Sequence, residues 1–213
     1  QRPSGSAVRL RSPDAYAQLW RARLERAAGE AEPLLHQPSR LEPVEAEDKA
    51  DLPDYVREKI DMASARAMEL GTVVHRYLER HLQEPGYDAA KLEAVVSEIN
   101  GGVSFPETIE KARVVLTDFY GGALHQRACR GRIEAREAPV FASWEGKAWS
   151  GVIDLVLREG DAVIGVDYKV MKMPKQLPAE YEQQRRVYQE VLRRLFPGQP
   201  VSFEFWWLIN SPR

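Results

Sequence analysis

Two aspartates stand where apolar sequence should be buried. Asp154 lies in Gly151-Val-Ile-Asp-Leu-Val-Leu157, and Asp167 lies in Val163-Ile-Gly-Val-Asp-Tyr-Lys-Val170. An ionised carboxylate in such a run costs roughly several kcal/mol unless it is paired or binds a metal. Lys169 follows Asp167 by two positions, so on a strand their side chains share a face. Adjacent antiparallel strands would also bring Asp154 near Asp167. Two close carboxylates repel and need a cation between them, and an oxygen-rich site of this kind suits Mg²⁺ or Mn²⁺. Lys169 beside them can hold a hydroxide or a scissile phosphate oxygen. Together these groups match metal-assisted phosphodiester hydrolysis. The bland alternative is a structural ion-pair cluster in which Lys169 merely neutralises the two aspartates.

His75 borders the apolar face formed by Val74, Tyr77 and Leu78, with Gly71 one turn earlier on nearly the same side. A glycine there would let the helix approach another backbone closely. A lone histidine in this position is either a metal ligand or a hydrogen-bonded core residue. His36, His81 and His125 have no supporting pattern. Near the C-terminus, Tyr181, Gln184 and Tyr188 share one helix face. Gln184 can bond a phosphate and Tyr188 can stack on a base, or both can simply pack on a sheet, as Tyr181 is expected to do. Lys172, Lys175, Arg185 and Arg186 form a small basic set that a solvated face explains equally well.

The elements that must position these groups change character midway. Tyr16, Leu19, Trp20 and Leu24 have helical spacing, and Pro33 to Pro53 reads as an extended connector. A helical pattern runs from Asp54 to about Leu82, interrupted near Gly71, and two further helices are expected over 88–99 and 107–129 with a break at Gly101-Gly102. Short β-type runs follow at 134–142, 148–158 and 162–170, separated by glycine turns that favour antiparallel hairpins. A helix over 178–195 and a last strand over 201–209 complete the order. This predicts an α/β (α+β) fold: a mixed central sheet flanked by helices, with a helical N-terminal half. Residues 1–53 would be a helix and connector, and 54–213 the functional domain.

Bulk properties narrow the classes. The 213 residues carry 30 Lys and Arg against 32 Asp and Glu, a formal charge of -2, so nucleic acid is not gripped over the whole surface. A local groove must serve, or a neighbour must deliver the strand. One cysteine, Cys129, excludes an intrachain disulfide and fits a cytoplasmic setting. No apolar run approaches the ~18 residues of a membrane span. No Gly-x-x-x-x-Gly-Lys-Ser/Thr phosphate loop occurs, which argues against ATP hydrolysis. The chain starts at Gln1 with neither methionine nor signal peptide and reads as a piece of a longer product.

Taken in order, Gly71 to His75, Glu137, Gly151 to Asp154, Asp167-Tyr168-Lys169 and Gln184 to Tyr188 resemble the RecB-like branch of the PD-(D/E)XK nuclease superfamily. More closely, they look like the nuclease domain at the C-terminal end of AddA- and RecB-type helicase-nucleases. The resemblance spans about residues 70–209 and implies a restriction-endonuclease-like core. It implies that His75, Asp154 and Asp167 ligate Mg²⁺ or Mn²⁺ with the backbone carbonyl of Tyr168 close by. Lys169 would be the catalytic lysine, and Glu137, Gln184 and Tyr188 would support substrate or site geometry. Glu134, on the opposite face by strand alternation, is the other candidate for the first-strand glutamate. Val170 stands where Thr or Ser is usual, and the segment from Lys169 to Gln184 is short; both bear on substrate positioning.

The implied activity is an exonuclease acting in DNA repair or recombination, leaving 5′-phosphate and 3′-hydroxyl ends. The implied partners are a DNA strand, single and fed by a motor, and a helicase domain of the same parent, with room for a second subunit and none for a membrane. The rivals are a stand-alone nuclease without a motor and a catalytically silent DNA-binding or scaffold module.

Overall fold

The computed structural model describes residues 54–100 and 105–209. The expected N-terminal helix, the connector to Pro53 and the Gly101-Gly102 break lie outside the described residues. Helices α1 (Asp54–His81), α2 (Ala89–Asn100), α3 (Pro106–Tyr120) and α4 (Ala123–Arg130) come first. Strands β1 (Arg132–Trp144), β2 (Lys147–Glu159) and β3 (Ala162–Lys172), helix α5 (Ala179–Leu195) and strand β4 (Val201–Ile209) follow.

The sheet order is β1-β2-β3-β4, antiparallel at the first two pairings and parallel between β3 and β4. Glu145 and Gly146 join β1 to β2 with left-handed φ angles of 51° and 76°, the two-residue turn whose twist suits a hairpin. The parallel pair needs a crossover, and α5 supplies it. Helices cover both faces. Leu155, Leu157, Ile164, Val166 and Trp206 bury against the helical N-terminal half. Val156, Val163 and Phe203 bury against Val187, Val191 and Leu192 of α5.

One departure from regular alternation decides where the site lies. Residues two apart on a strand should share a face, yet Ile153 packs in the α5 layer and Leu155 in the opposite one. Strand β2 thus turns over at Asp154. Its pairing with β3 ends there too, the last rung being Leu155–Val166. Strand β1 turns at the same level: Glu137, between the rungs Arg136–Leu155 and Ala138–Ile153, has a left-handed φ of 46°. Such a backbone costs a non-glycine residue about 1–3 kcal/mol, and it is stored where two strands part.

Two helix expectations are corrected. Helix α1 runs through Gly71 without interruption, because Leu70, Val73, Val74, Tyr77 and Leu78 are buried around it and tertiary packing outweighs one poor helix former. The span expected as one helix over 107–129 is two, divided at Gly121-Gly122, whose N–H groups bond back to Thr117 and Phe119. Among the described residues, no helix is long and apolar enough to cross a membrane.

Candidate active site

Helix α1 fixes His75 by burying the residues on either side of it. Val73, Val74, Tyr77 and Leu78 are inaccessible, which leaves the His75 side chain on the flank, 31% exposed, beside the parting strands. Its Nε2 lies 3.0 Å from the Tyr168 carbonyl oxygen. A carbonyl only accepts, so Nε2 carries the proton. The other nitrogen, Nδ1, then faces Asp154 Oδ2 at 3.5 Å. In the neutral ring two lone pairs would oppose each other, and a proton or a metal cation reconciles them. Burial pulls the His75 pKa down, but the hydrogen bond and charge of Asp154, with Asp167 and Glu137 behind it, outweigh burial and raise it above its ordinary value. Asp154 itself accepts a hydrogen bond of 2.6 Å from the Tyr168 backbone N–H. Its carboxylate thus bonds to the strand from which β2 has just parted.

Asp167 looks the other way, towards α5. Gln184, fully buried, donates from Nε2 to Asp167 Oδ1 at 2.7 Å. Lys169 Nζ lies 2.8 Å from Asp167 Oδ2. That approach is off the hydrogen-bonding direction, so Oδ2 is ion-paired but buried without a directed hydrogen bond. Burial and the charge of Asp154 raise the Asp167 pKa, and Lys169 pulls it partly back. Lys169 Nζ also sits 4.6 Å from the ring centre of Tyr181 and 5.4 Å from that of Phe205, within cation–π range of both.

The donor set fits a hard divalent cation. Ligand atoms of His75, Glu137 and Asp154 all lie within 4.8 Å of one another. Burial and the charge of Asp154 push the Glu137 carboxyl up to about 7, against the pull of His75. Two carboxylates held this close, an imidazole nitrogen aimed at one of them and an under-bonded oxygen on Asp167 are the chemistry a Mg²⁺- or Mn²⁺-type ion satisfies. A cleft of about 370 Å³ opens onto this group, lined by Gly71, Thr72, His75, Arg76, Glu79 and Glu137.

The structure therefore brings His75, Glu137 and Asp154 into one group, with Asp167, Lys169 and Gln184 adjoining it on β3 and α5. The choice between Glu137 and Glu134 is decided by geometry: Glu134 ion-pairs with Arg132 and Arg158, away from the cleft. Base stacking by Tyr188 is corrected, since its ring is fully buried. The Val152 N–H donates to its hydroxyl at 3.2 Å, and a Cβ at Gly151 would fall 2.1 Å from that oxygen. Glycine at 151 is what admits Tyr188, so these two motif residues lock α5 onto β2 three positions before Asp154. Close helix packing at Gly71 is corrected as well, because among the described residues a Cβ there would meet nothing within 4 Å. Sequence reasoning missed Tyr181 and Phe205 as neighbours of Lys169. Tyr181 shares a helix face with Gln184, which was the available signal; Phe205 opposes Asp167 in the β3–β4 register, which sequence alone does not give.

Residues 45–213 match the PD-(D/E)XK nuclease superfamily. The four-stranded mixed sheet with helices on both faces is the restriction-endonuclease-like arrangement expected of it. Among curated proteins, no relative matches the chain.

Proposed function

The chain belongs to the PD-(D/E)XK nuclease superfamily, and from that premise we propose that it is a Mg²⁺- or Mn²⁺-dependent deoxyribonuclease of the exonuclease kind. The observation that carries this reading is the meeting of Asp154, Asp167, Lys169 and His75 where β2 parts from β3. A bound divalent cation supplies an activated water and polarises the scissile phosphate. His75, Glu137, Asp154 and Asp167, with the Tyr168 carbonyl, are the groups that would hold it. Lys169 places a fixed positive charge beside them, where it orients the attacking water and stabilises charge developing on the phosphate. Gln184 keeps Asp167 in register, and the Tyr168 N–H does the same for Asp154. The products are 5′-phosphate and 3′-hydroxyl ends.

The near-neutral charge supports a domain that receives its strand from a neighbour. We extend the proposal accordingly: the domain is part of a helicase-nuclease of DNA repair or recombination, acting on strands delivered by its motor. Digestion of end-labelled single-stranded, duplex and circular DNA with Mn²⁺ tests the activity; degradation of linear DNA with circles spared is expected, and nicking of circles refutes the exonuclease assignment. The length of the parent gene, and a phosphate loop within it, tests the motor.

A further inference from the structure

Gly71 occupies a position that nothing among the described residues requires to be glycine. It sits within the 28-residue helix α1, with no left-handed φ. A Cβ added there meets no atom of another described element within 4 Å. Glycine is the poorest helix former after proline, so on packing and propensity alone a larger residue would serve α1 better. What lies outside Gly71 is the cleft. Gly71 lines it together with His75, one helical turn on, and with Thr72, Arg76, Glu79 and Glu137. Positions four apart on a helix are neighbours, so any side chain at 71 would stand in the cleft beside the His75 imidazole.

The remaining lining holds one cation, Arg76, beside the carboxylates of Glu79 and Glu137. Among the described residues, the ion pair of Arg76 is an exposed one with Glu79, its side chain 42% accessible. Such pairs hold their partners weakly, so the guanidinium is free to turn to a phosphate. The Thr72 hydroxyl is tied to the Met68 carbonyl at 2.9 Å and kept out of the cleft's chemistry.

We propose that Gly71 is the floor of a substrate subsite: the sugar–phosphate backbone of the cleaved strand lies across the bare turn of α1 at Gly71, with Arg76 facing a phosphate, and reaches the carboxylates beside His75. This rests on the nuclease reading above. The bare backbone lets the strand come within van der Waals contact of the helix, and a side chain there displaces it from the metal-binding groups.

The test uses the 213-residue chain and its Gly71→Ala and Gly71→Leu variants. Both variants are expected to melt at or above the parental Tm and to keep the parental Mn²⁺ affinity by calorimetry. On a 5′-labelled single-stranded oligonucleotide, kcat/KM should fall roughly threefold for alanine and at least roughly thirtyfold for leucine, the loss growing with side-chain size. In a Lys169→Ala background, adding Gly71→Leu should weaken binding of a fluorescein-labelled oligonucleotide about tenfold or more. Parental kcat/KM and parental oligonucleotide affinity in the leucine variant would overturn the subsite. So would loss of the fold in both variants, since the protein itself would then need the bare backbone. Failure of the parent to cleave any DNA counts against the nuclease reading instead, and the binding comparison still decides the subsite.

Discussion

The two aspartates at the parting strands have opposite surroundings. Asp154 faces α1, among a histidine, a second carboxylate and a backbone N–H. Asp167 faces α5, among an ammonium, a buried amide and two aromatic rings close to that ammonium. The Asp167 half supplies its own counter-charge. The Asp154 half does not: its three groups repel one another unless a proton or a cation joins them. The site is thus divided into a half that lacks a counter-charge and a half that carries one, with the under-bonded oxygen of Asp167 left between them for the ion. The division accompanies the turn of β2 at Asp154, where Ile153 packs in the α5 layer and Leu155 in the opposite one.

The sharpest way to break this division is to delete one charge from each half. Asp154→Ala and Lys169→Ala should each lower cleavage by about three orders of magnitude or more, as removal of a charge-stabilising group does. They should differ in calorimetry: Asp154→Ala loses the Mn²⁺ heat, whereas Lys169→Ala keeps or strengthens it. Equal metal binding by the two variants would show that the halves are not distinct.

Gln184 tests how far the Asp167 half depends on its support. Its amide is fully buried, and Asp167 Oδ1 is the acceptor it serves. Gln184→Leu fills similar volume but leaves that oxygen without its donor, at a cost of about 1–3 kcal/mol. Activity should fall roughly tenfold to a hundredfold as Asp167 loses its alignment. Thermal melting alongside single-turnover rates checks this, and parental kinetics in a folded variant would remove Gln184 from the site.

How much of this was legible in advance depended on the range of the interaction. Strand β4 lies over the span its run of aromatics and β-branched residues marks out, and β2 and β3 follow from apolar runs bounded by turn residues. The nearness of Asp154 to Asp167 on neighbouring strands needed only antiparallel order. What could not be read was everything that depends on broken alternation. A bulge between Ile133 and Ala135 and the left-handed backbone at Glu137 shift the faces of β1, so alternation puts Glu134 and Glu137 on opposite faces without telling which one meets the cleft. The burial of Tyr188 and the open space around Gly71 are properties of packing between distant elements, invisible to a local window.

Tyr181 sharpens the comparison from the ammonium side with a smaller effect. Its ring face is the nearer of the two beside Lys169 Nζ, at 4.6 Å. A desolvated cation–π contact contributes roughly 0.5–2 kcal/mol. Tyr181→Leu should therefore cost about threefold to thirtyfold in kcat with KM little changed, and Tyr181→Phe, which keeps the π face, should restore it. Equal losses in both variants would assign the effect to the hydroxyl, whose contact is Met171 Sδ at 3.6 Å.

The Asp154 half also predicts an unusual pH dependence of stability before any metal is added. Burial and the Asp154 charge raise the Glu137 carboxyl from an ordinary 4.5 to about 7. His75 in the same half is raised as well, and so is Asp167 across the divide. Each raised group binds more proton in the folded than in the unfolded state, so stability falls as pH rises through the interval between the two values. For Glu137 that interval is 4.5 to about 7. Carboxylates in surface ion pairs, such as Glu84, Glu98 and Glu134, are lowered and change stability only at more acidic pH. With chelator present, stability should therefore decline from pH 5 to pH 7 by on the order of 1 kcal/mol, read as a falling Tm. Mn²⁺ should reverse the decline, because a cation replaces the protons the folded site retains. Glu137→Gln should flatten the apo slope while leaving the Lys169 side untouched. An unchanged slope in that variant would mean that Glu137 does not share the electrostatics of Asp154 and His75.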